Sequence, residues 1–272
     1  MNVNDINRIR KKVRDSRPLI HCITNPISIN QCANAVLAVG ASPIMAEHPQ
    51  EAAEITQTAK AVMLNIGNIT DVRMQSIMIS AKTAAEKGIP FVIDTVGACC
   101  SDMRRKYVEN LLSQCTPSVI KGNYSEIMAV NSCSYSLAGV DADGTIDINS
   151  ITAAAVSLAE KHSTVVLARG KTDIVTDGKK VIYVYNGTEQ LAQVTGTGCM
   201  QGALCAAYLS AAVDAVAAAV TACAVFGICG QLAHTAKGSG SFMVNLMDAL
   251  SALTEDEVEN LLKIEVNKIE KT

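Results

Sequence analysis

The residues with the clearest chemistry are two glycines set between threonines, directly before a long stretch of helical character. They stand in the run VTGTGC, from Val194 to Cys199. Glycines at a predicted helix start let backbone N–H groups close around an anion, and the helix dipole adds attraction. The spacing differs from the phosphate loop G-x-x-x-x-G-K-[ST] and from the dinucleotide fingerprint. The run predicts an anion site, with an ordinary glycine-rich loop as the alternative.

Two acidic residues are candidates for holding a divalent cation. Asp94 ends a predicted strand, and Glu126 lies in the first helical turn after residues 121–123. Mg²⁺ usually takes one or two protein carboxylates and completes its shell with phosphates and water, so this pair suits that metal. The alternative for Glu126 is a role as the acidic partner of a helix dipole.

The elements that would position these residues are short apolar runs alternating with segments of helical periodicity. Nearly uninterrupted apolar runs are typical of strands covered on both faces, and their alternation with helices favours a mostly parallel sheet. Residues 174–176 and 181–185 predict a hairpin at one sheet edge. Everything after Val194 is predicted to be helical, ending in an acidic amphipathic tail from Thr254. The predicted strands are residues 19–23, 43–46, 61–64, 91–93, 118–120 and 164–168, and helices are predicted over 71–87 and 151–161.

Polar residues and glycines follow each of the six predicted strands. Ligands of open parallel sheets bind beyond the carboxyl ends of the strands, where helix N-termini also point. Turns favour Asn, Asp and Gly in any case, but six such segments in succession predict one binding site along this edge. The segments are residues 24–26, 45–47, 65–68, 94–95, 121–123 and 169–170.

The overall composition limits the class of protein. The 272 residues include 23 basic and 26 acidic side chains, for a net charge of −3. This balance argues against a dedicated nucleic-acid binder, which would carry a basic face. With 49% hydrophobic and only 18% charged residues, the chain has ample material for a core. No repeat or linker interrupts it, so we expect a single domain over residues 1–272.

Cysteine usage and the apolar segments bear on location. The ten cysteines are scattered and none forms C-x-x-C, which predicts neither a disulfide framework nor a zinc site. The N-terminal residues lack the apolar centre of a signal peptide. The uncharged run 215–230 covers 16 residues, short of the roughly 20 needed to cross a bilayer. We therefore expect a cytoplasmic protein without a membrane span, with this run as a buried helix.

Longer motifs follow one another in an order that points to a family. With them the chain resembles the hydroxyethylthiazole kinase family, which has a ribokinase-like fold, and the resemblance spans almost the whole chain. The motifs are TNPISINQCAN (24–34), ASPIMA (41–46), LNIG (64–67), DTVGA (94–98), IKGNYSE (120–126) and VTGTGC (194–199).

The resemblance implies a fold and an activity. The fold would be an α/β three-layer sandwich with a mostly parallel central sheet flanked by helices. The activity would be phosphoryl transfer from ATP, with Mg²⁺, to the primary alcohol of 4-methyl-5-(2-hydroxyethyl)thiazole, in thiamine biosynthesis or salvage. The family is a homotrimer with active sites between neighbouring subunits, so the same assembly is expected here.

The resemblance also implies roles for individual residues. Asp94 and Glu126 would hold Mg²⁺. Lys121 and Arg169 fall at nucleotide-contacting positions, but they replace the family's usual Arg and its usual Thr or Ser. Cys199 stands where related sugar kinases place a basic aspartate, and we interpret it as a hydroxyl-orienting residue and weak base. The residues expected at the thiazole pocket are Asn25, Met45, Gly67 and Gly196.

Two other functions remain open from the sequence. One is a ribokinase-like kinase acting on a pyrimidine or a sugar alcohol, against which the substrate-side motifs TNPI and SPIMA argue. The other is a catalytically weakened member kept as a binding or regulatory protein, suggested by Lys121 and Arg169 at the nucleotide positions. Outside the predicted site, His21 on the first strand is interpreted as a hydrogen-bonded core histidine.

Overall fold

The frame of the protein is one nine-stranded sheet. The computed structural model describes residues 1–132 and 147–269. The strands are β1 (Leu19–Ile23), β2 (Ser42–Ile44), β3 (Ala61–Asn65), β4 (Phe91–Asp94), β5 (Val119–Asn123), β6 (Val165–Arg169), β7 (Asp173–Thr176), β8 (Lys180–Val184) and β9 (Ile264–Lys268).

The sheet is parallel in its first six strands and antiparallel in the last three. Its strand order is β2-β1-β3-β4-β5-β6-β7-β8-β9. Because β1–β6 are parallel, all six carboxyl ends lie at the same edge of the sheet. The strands at the centre are almost wholly buried, in agreement with the continuous apolar runs of the sequence.

Helices cover both faces of the sheet. One core layer lies between the sheet and α1, α2, α8, α9 and α10; the other lies between the sheet and α4–α7, with α3 packed against α4. The predicted α/β three-layer sandwich is confirmed. The helices are α1 (Val3–Ser16), α2 (Ile29–Ala38), α3 (Pro49–Thr58), α4 (Asp71–Lys87), α5 (Asp102–Gln114), α6 (Tyr124–Asn131), α7 (Ile148–His162), α8 (Thr197–Leu209), α9 (Ala215–Leu232), α10 (Ser239–Ala252) and α11 (Glu255–Leu261).

The helix boundaries follow from capping residues in the sequence. At the start of α4, the Thr70 side chain accepts a hydrogen bond from the backbone N–H of Arg73 (3.2 Å), and Gly88 ends the helix in the left-handed conformation. Asp214 caps α9 through the N–H of Ala217 (2.7 Å). Among the described helices, α9 alone is long and apolar enough to cross a membrane, but it is buried over most of its length. The predicted buried helix is confirmed.

The C-terminal part departs from the predicted all-helical pattern. Residues 264–268 form β9, which pairs antiparallel with β8 and sets Val266 opposite Ile182. Ile264 and Val266 alternate with polar residues, the period of two that a strand requires, and five residues are too few for that signal to stand out after the acidic helix α11. The hairpin β7–β8 is confirmed, but its predicted position at the sheet edge is wrong because β9 covers it.

Candidate active site

The loops after β1–β6 and the beginning of α8 form the predicted binding edge, called the rim here. The rim divides into two groups of side chains. The amide half consists of Asn25, Asn65 and Gly67, at the ends of β1 and β3, and of Cys199, at the start of α8. The charged half, at β4–β6, consists of Asp94, Lys121, Glu126 and Arg169.

The amide half is a buried network of side-chain amides around one sulfur atom. Asn25 donates from Nδ2 to Oδ1 of Asn65 (3.1 Å), and that same oxygen accepts the backbone N–H of Gly67 (2.8 Å). A Cβ at Gly67 would lie only 2.8 Å from Asn65 Oδ1 and 2.9 Å from Asn25 Nδ2. This position therefore requires glycine because the two asparagines fill the space of a side chain.

Cys199 lies in the first turn of α8 and is 8% exposed. Its Sγ accepts from Nδ2 of Asn25 (3.4 Å) and from Nδ2 of Asn65 (3.3 Å). These two donors fix the position of the sulfur and leave the S–H as its remaining polar group. The arrangement suits a residue that orients a neighbouring polar group.

The charged half is centred on a buried ion pair. Nζ of Lys121 lies 2.9 Å from Oδ1 of Asp94, and the two side chains are 3% and 0% exposed. The other carboxylate oxygen, Oδ2, accepts from Nδ2 of Asn65 (2.9 Å). Burial acts to lower the pKa of Lys121, but the Asp94 carboxylate and its hydrogen bond raise it above its usual value. Asn65 thus joins the amide half to the charged half.

Glu126 is buried beside this ion pair and caps α6. Its Oε1 accepts from the N–H of Gly97 and its Oε2 from the N–H of Asn123, each at 2.7 Å. Burial, followed by the nearby Asp94 charge, raises the pKa of Glu126 above its ordinary value. The helix N-terminal role of Glu126 is confirmed, and its proximity to Asp94 is compatible with the predicted metal role.

Two cations border the N-terminus of α8. A Cβ at Gly198 would lie 2.9 Å from Nη1 of Arg169 and 3.8 Å from Nζ of Lys121, and Arg169 donates to Oγ1 of Thr197 (3.2 Å). Gly196 precedes the helix at φ +87°, a conformation that favours glycine. The backbone N–H groups of the first turn, the helix dipole and both cations therefore act on one place, as an anion site requires.

A cleft of about 580 Å³ opens next to this anion site. It lies between the ends of β5–β8 and helices α8 and α9. Its volume is in the range of sites that hold small molecules and cofactors. Its lining includes Asn123, Arg169, Gly170, Asp173, Gln201 and Phe226.

The structure connects eight of the nine predicted site residues through the contacts above. Gly196 is connected to Asn25 through Ser28. A Cβ at Gly196 would lie 3.1 Å from Cβ of Ser28, and the Ser28 N–H donates to Oδ1 of Asn25. Met45 is half-buried and directly follows the edge strand β2. Asn65 was not among the predicted site residues, although its place in LNIG at the end of β3 is the signal that marks it.

His21 has the structural role predicted for it. Nε2 lies 2.8 Å from the carbonyl oxygen of Ala46, and Nδ1 lies 3.0 Å from Oγ1 of Thr56. The side chain is fully buried, and burial lowers its pKa. Both ring nitrogens are used within the core, so His21 is not available to the rim.

Comparison of the whole fold defines the class of protein. A solved ribokinase-like superfamily protein from Enterococcus faecalis superimposes with a TM-score of 0.67 at 9% identity, covering 93% of this chain and 95% of that one. At this identity the likeness concerns the fold. Together with the glycine-rich turn at the start of α8, it defines an α/β protein with a ribokinase-like fold.

The sequence comparisons then give the family. The model of the hydroxyethylthiazole kinase family matches residues 10–256. "Hydroxyethylthiazole kinase 2" of Clostridium botulinum is 44% identical over 266 residues, 96% of this chain and 99% of that protein. The solved hydroxyethylthiazole kinase protein of Pyrococcus horikoshii has a TM-score of 0.89 at 35% identity, covering 97% and 99%. The chain belongs to the hydroxyethylthiazole kinase family and is an enzyme, a kinase.

Proposed function

We propose that the protein transfers a phosphoryl group from ATP to the primary alcohol of 4-methyl-5-(2-hydroxyethyl)thiazole, giving the thiazole phosphate and ADP for thiamine biosynthesis or salvage. One observation carries the proposal. A continuous chain of hydrogen bonds runs from Asn25 through Asn65 to Asp94 and Lys121. It sets buried, uncharged amide side chains directly beside the charged half of the rim, which is what joining a neutral alcohol to a phosphate requires.

The thiazole is proposed to bind at the amide half. A neutral heterocycle needs apolar surface and a few directional hydrogen bonds rather than charge. Asn25 and the backbone at Gly67 supply polar atoms, Met45 supplies a polarisable apolar side chain, and Gly196 allows close approach of the backbone. The hydroxyl would then face Cys199 at the start of α8.

The phosphates of ATP are proposed to bind at the N-terminus of α8, with the nucleoside in the adjacent cleft. Lys121 and Arg169 supply positive charge, and the backbone N–H groups of α8 supply donors for oxygens that gain charge in the transition state. Lys121 lacks the planar fork of arginine and acts as a point charge. Arg169, which is half-buried at the mouth of the cleft, would supply the bidentate contact.

Asp94 and Glu126 are proposed to hold Mg²⁺ together with the phosphates. Each of their four carboxylate oxygens accepts one hydrogen bond, so each retains a lone pair for a further contact. Among the described residues no cluster of three potential metal ligands is found, which fits a metal that takes most of its ligands from phosphates and water. When bound, Mg²⁺ neutralises the charge of the phosphates.

Cys199 is proposed to orient the substrate hydroxyl and to act at most as a weak base. Its Sγ is held by Asn25 and Asn65, which fixes it beside the anion site. Phosphoryl transfer through a loose transition state depends on positioning and charge stabilisation more than on removal of the proton. The thiol is therefore expected to improve turnover without being indispensable.

The active unit is proposed to be a cytoplasmic homotrimer of single-domain chains spanning residues 1–272, with active sites at subunit interfaces. Ile27 is 57% exposed two residues after Asn25, and Met45 follows the edge strand β2 half-buried, so apolar surface borders the amide half. Light scattering in solution should return the mass of three chains. A monomer with full turnover would contradict the shared site.

The activity is tested by following ADP release with ATP and Mg²⁺. Hydroxyethylthiazole, hydroxymethylpyrimidine and ribose are offered in parallel, with the Asp94→Asn protein as the inactive control. Turnover with the thiazole alone supports the proposal. Turnover with the pyrimidine or ribose would contradict the thiazole as the substrate. Thiazole binding without turnover would indicate a binding protein instead of a kinase.

A further inference from the structure

Two neighbouring thiols stand in the turn after β4. Sγ of Cys99 and Sγ of Cys100 lie 3.5 Å apart. Cys99 is 7% exposed and Cys100 is exposed. The other seven cysteines of the described residues are all buried. Within the described part of the chain, Cys100 is thus the one exposed cysteine, and its Sγ lies next to that of the buried Cys99.

The separation of the two sulfurs suits the binding of both to one soft centre. At the tetrahedral angle, two sulfur bonds of about 2.3 Å place the sulfurs roughly 3.8 Å apart. A pyramidal centre with a lone pair has a narrower angle, which brings the two sulfurs closer to the 3.5 Å found here. The two sulfurs therefore already have about the separation that chelation requires. Soft thiolate ligands favour thiophilic metals over the hard Mg²⁺ of a phosphate site, so this pair would not compete with the carboxylates for magnesium.

We propose that Cys99 and Cys100 form a two-thiol site for thiophilic centres, of which trivalent arsenic is the best-fitting class. An organic arsenic(III) oxide would form two As–S bonds and lose its As=O bond. Both thiol protons would leave with that oxygen as water, and no atom would change oxidation state. Burial, followed by the hydrogen bond with Cys100, raises the pKa of Cys99 to about 12. The Cys99 proton is therefore present before the reaction.

The turn that holds the thiols also holds Glu126. The carbonyl oxygen of Gly97 accepts from the N–H of Cys100 (3.0 Å), and the N–H of Gly97 donates to Oε1 of Glu126 (2.7 Å). Gly97 is at φ +74°, a conformation that favours glycine. Chelation that shifts Cys100 would displace the Gly97 N–H from Glu126. This link rests on the proposed function, whereas binding itself does not.

Binding is tested by intact-mass spectrometry with phenylarsine oxide as the probe. The full chain carries Cys133→Ser, because that cysteine lies outside the described residues. The adduct, one phenylarsenic group per chain with the loss of one water, should survive an excess of a monothiol and be removed by a small dithiol.

Cys100→Ser should weaken retention of the adduct by about 10²-fold or more because the second link is lost. The matched control Cys115→Ser, at a buried thiol elsewhere, should retain it. Failure to form the adduct, or equal retention by Cys100→Ser, would overturn the site.

Turnover of the same samples tests the link to Glu126. Binding of the arsenical at the two-thiol site should lower the rate of thiazole phosphorylation by about tenfold or more, and the dithiol should restore that rate. Cys100→Ser should turn over normally and resist the arsenical. An adduct that leaves turnover unchanged would overturn the link. A chain that forms the adduct but never phosphorylates the thiazole would contradict the proposed function, since the mass measurement reports the site independently.

Discussion

The two halves of the rim arise from the same strand–loop–helix units but carry different side chains. The amide half uses Asn25, Asn65 and a thiol, all uncharged donors and acceptors. The charged half, one strand further along the sheet, pairs Asp94 with Lys121 in full burial. The contrast separates two tasks that one site must perform, which are the selection of a neutral alcohol and the control of phosphate charge.

Asn65 makes the two halves act as one site. Its Oδ1 accepts from Asn25 and Gly67, and its Nδ2 donates to Asp94 and Cys199. A primary amide is suited to this place because it offers an acceptor and a donor at opposite corners. A carboxylate here would place a second negative charge against Asp94, and an apolar residue would leave buried polar groups without partners.

The largest expected effect comes from the buried ion pair of the charged half. Asp94→Asn keeps the shape but removes the charge that balances Lys121. We expect turnover to fall by about 10³-fold, as for loss of a central electrostatic group, and the free energy of unfolding to fall by about 3 kcal/mol. Steady-state kinetics and urea unfolding measure the two effects.

A second variant separates the two effects of Asp94. Adding Lys121→Met to Asp94→Asn removes the unpaired buried cation. This double variant should recover more than about 1 kcal/mol of stability while turnover stays low. Recovery of both turnover and stability would show that Asp94 serves folding alone, and the division between the halves would fail.

The next largest effect is expected at Gly196, where the halves meet at α8. Gly196→Val places a branched side chain at φ +87°, near Ser28 and in the space proposed for phosphate. Turnover should fall by about 10²-fold, and stability by about 1–2 kcal/mol. The matched control Gly88→Val also imposes a positive φ, but nothing lies within 4 Å of its Cβ. That variant should lose stability and keep turnover, and equal losses of turnover in both would argue against the anion site.

A smaller effect is expected in the amide half at Cys199. Cys199→Ala should lower kcat by about tenfold, because a removed general base would cost about 10²–10⁴-fold whereas an orienting group costs less. Cys199→Ser should lie closer to the original protein. Loss of all turnover in Cys199→Ala, with the fold and assembly unchanged, would make the thiol an indispensable catalyst.

The smallest effect concerns His21, below the amide half. Because burial lowers its pKa, the unfolded chain binds this proton more readily. Stability should therefore be full above the ordinary histidine pKa and fall as pH drops from about 7 toward 5. His21→Gln should flatten this slope in urea unfolding. His162 has a pKa lowered by burial and by Lys161 and acts in the same direction, so His162→Gln measures its separate share of the slope. An unchanged slope in His21→Gln would contradict a neutral buried role.

Much of this division was readable from the sequence because parallel strands impose it. The carboxyl ends of buried apolar runs must share one edge, so the polar segments after each run could be assigned to one site. The chemical type of some segments was visible too, since Asn25 and Asn65 stand at or after the ends of β1 and β3, whereas Asp94 and Arg169 end β4 and β6.

The contacts between halves could not be read in the same way. Which oxygen of Asp94 faces Lys121 and which faces Asn65 depends on the packing of α8 against β3 and β4, which no local pattern records. The position of Asn65 in LNIG was visible in the sequence, but its bridging role depends on contacts between separate strands that a local motif does not show. In the same way, β9 is a strand because β8 offers it an open edge, and its five residues hold too short an alternation to predict that pairing.

The most direct test compares Asn25→Ala in the amide half with Arg169→Ala in the charged half. The KM values for hydroxyethylthiazole and for ATP are measured for both variants. Asn25→Ala should raise the KM for the thiazole by about tenfold and leave the KM for ATP nearly unchanged. Arg169→Ala should raise the KM for ATP by about tenfold and leave the KM for the thiazole nearly unchanged. Both expectations follow because one hydrogen bond contributes about 1–2 kcal/mol. Equal changes in both constants, or the opposite assignment, would contradict the separation of the two halves.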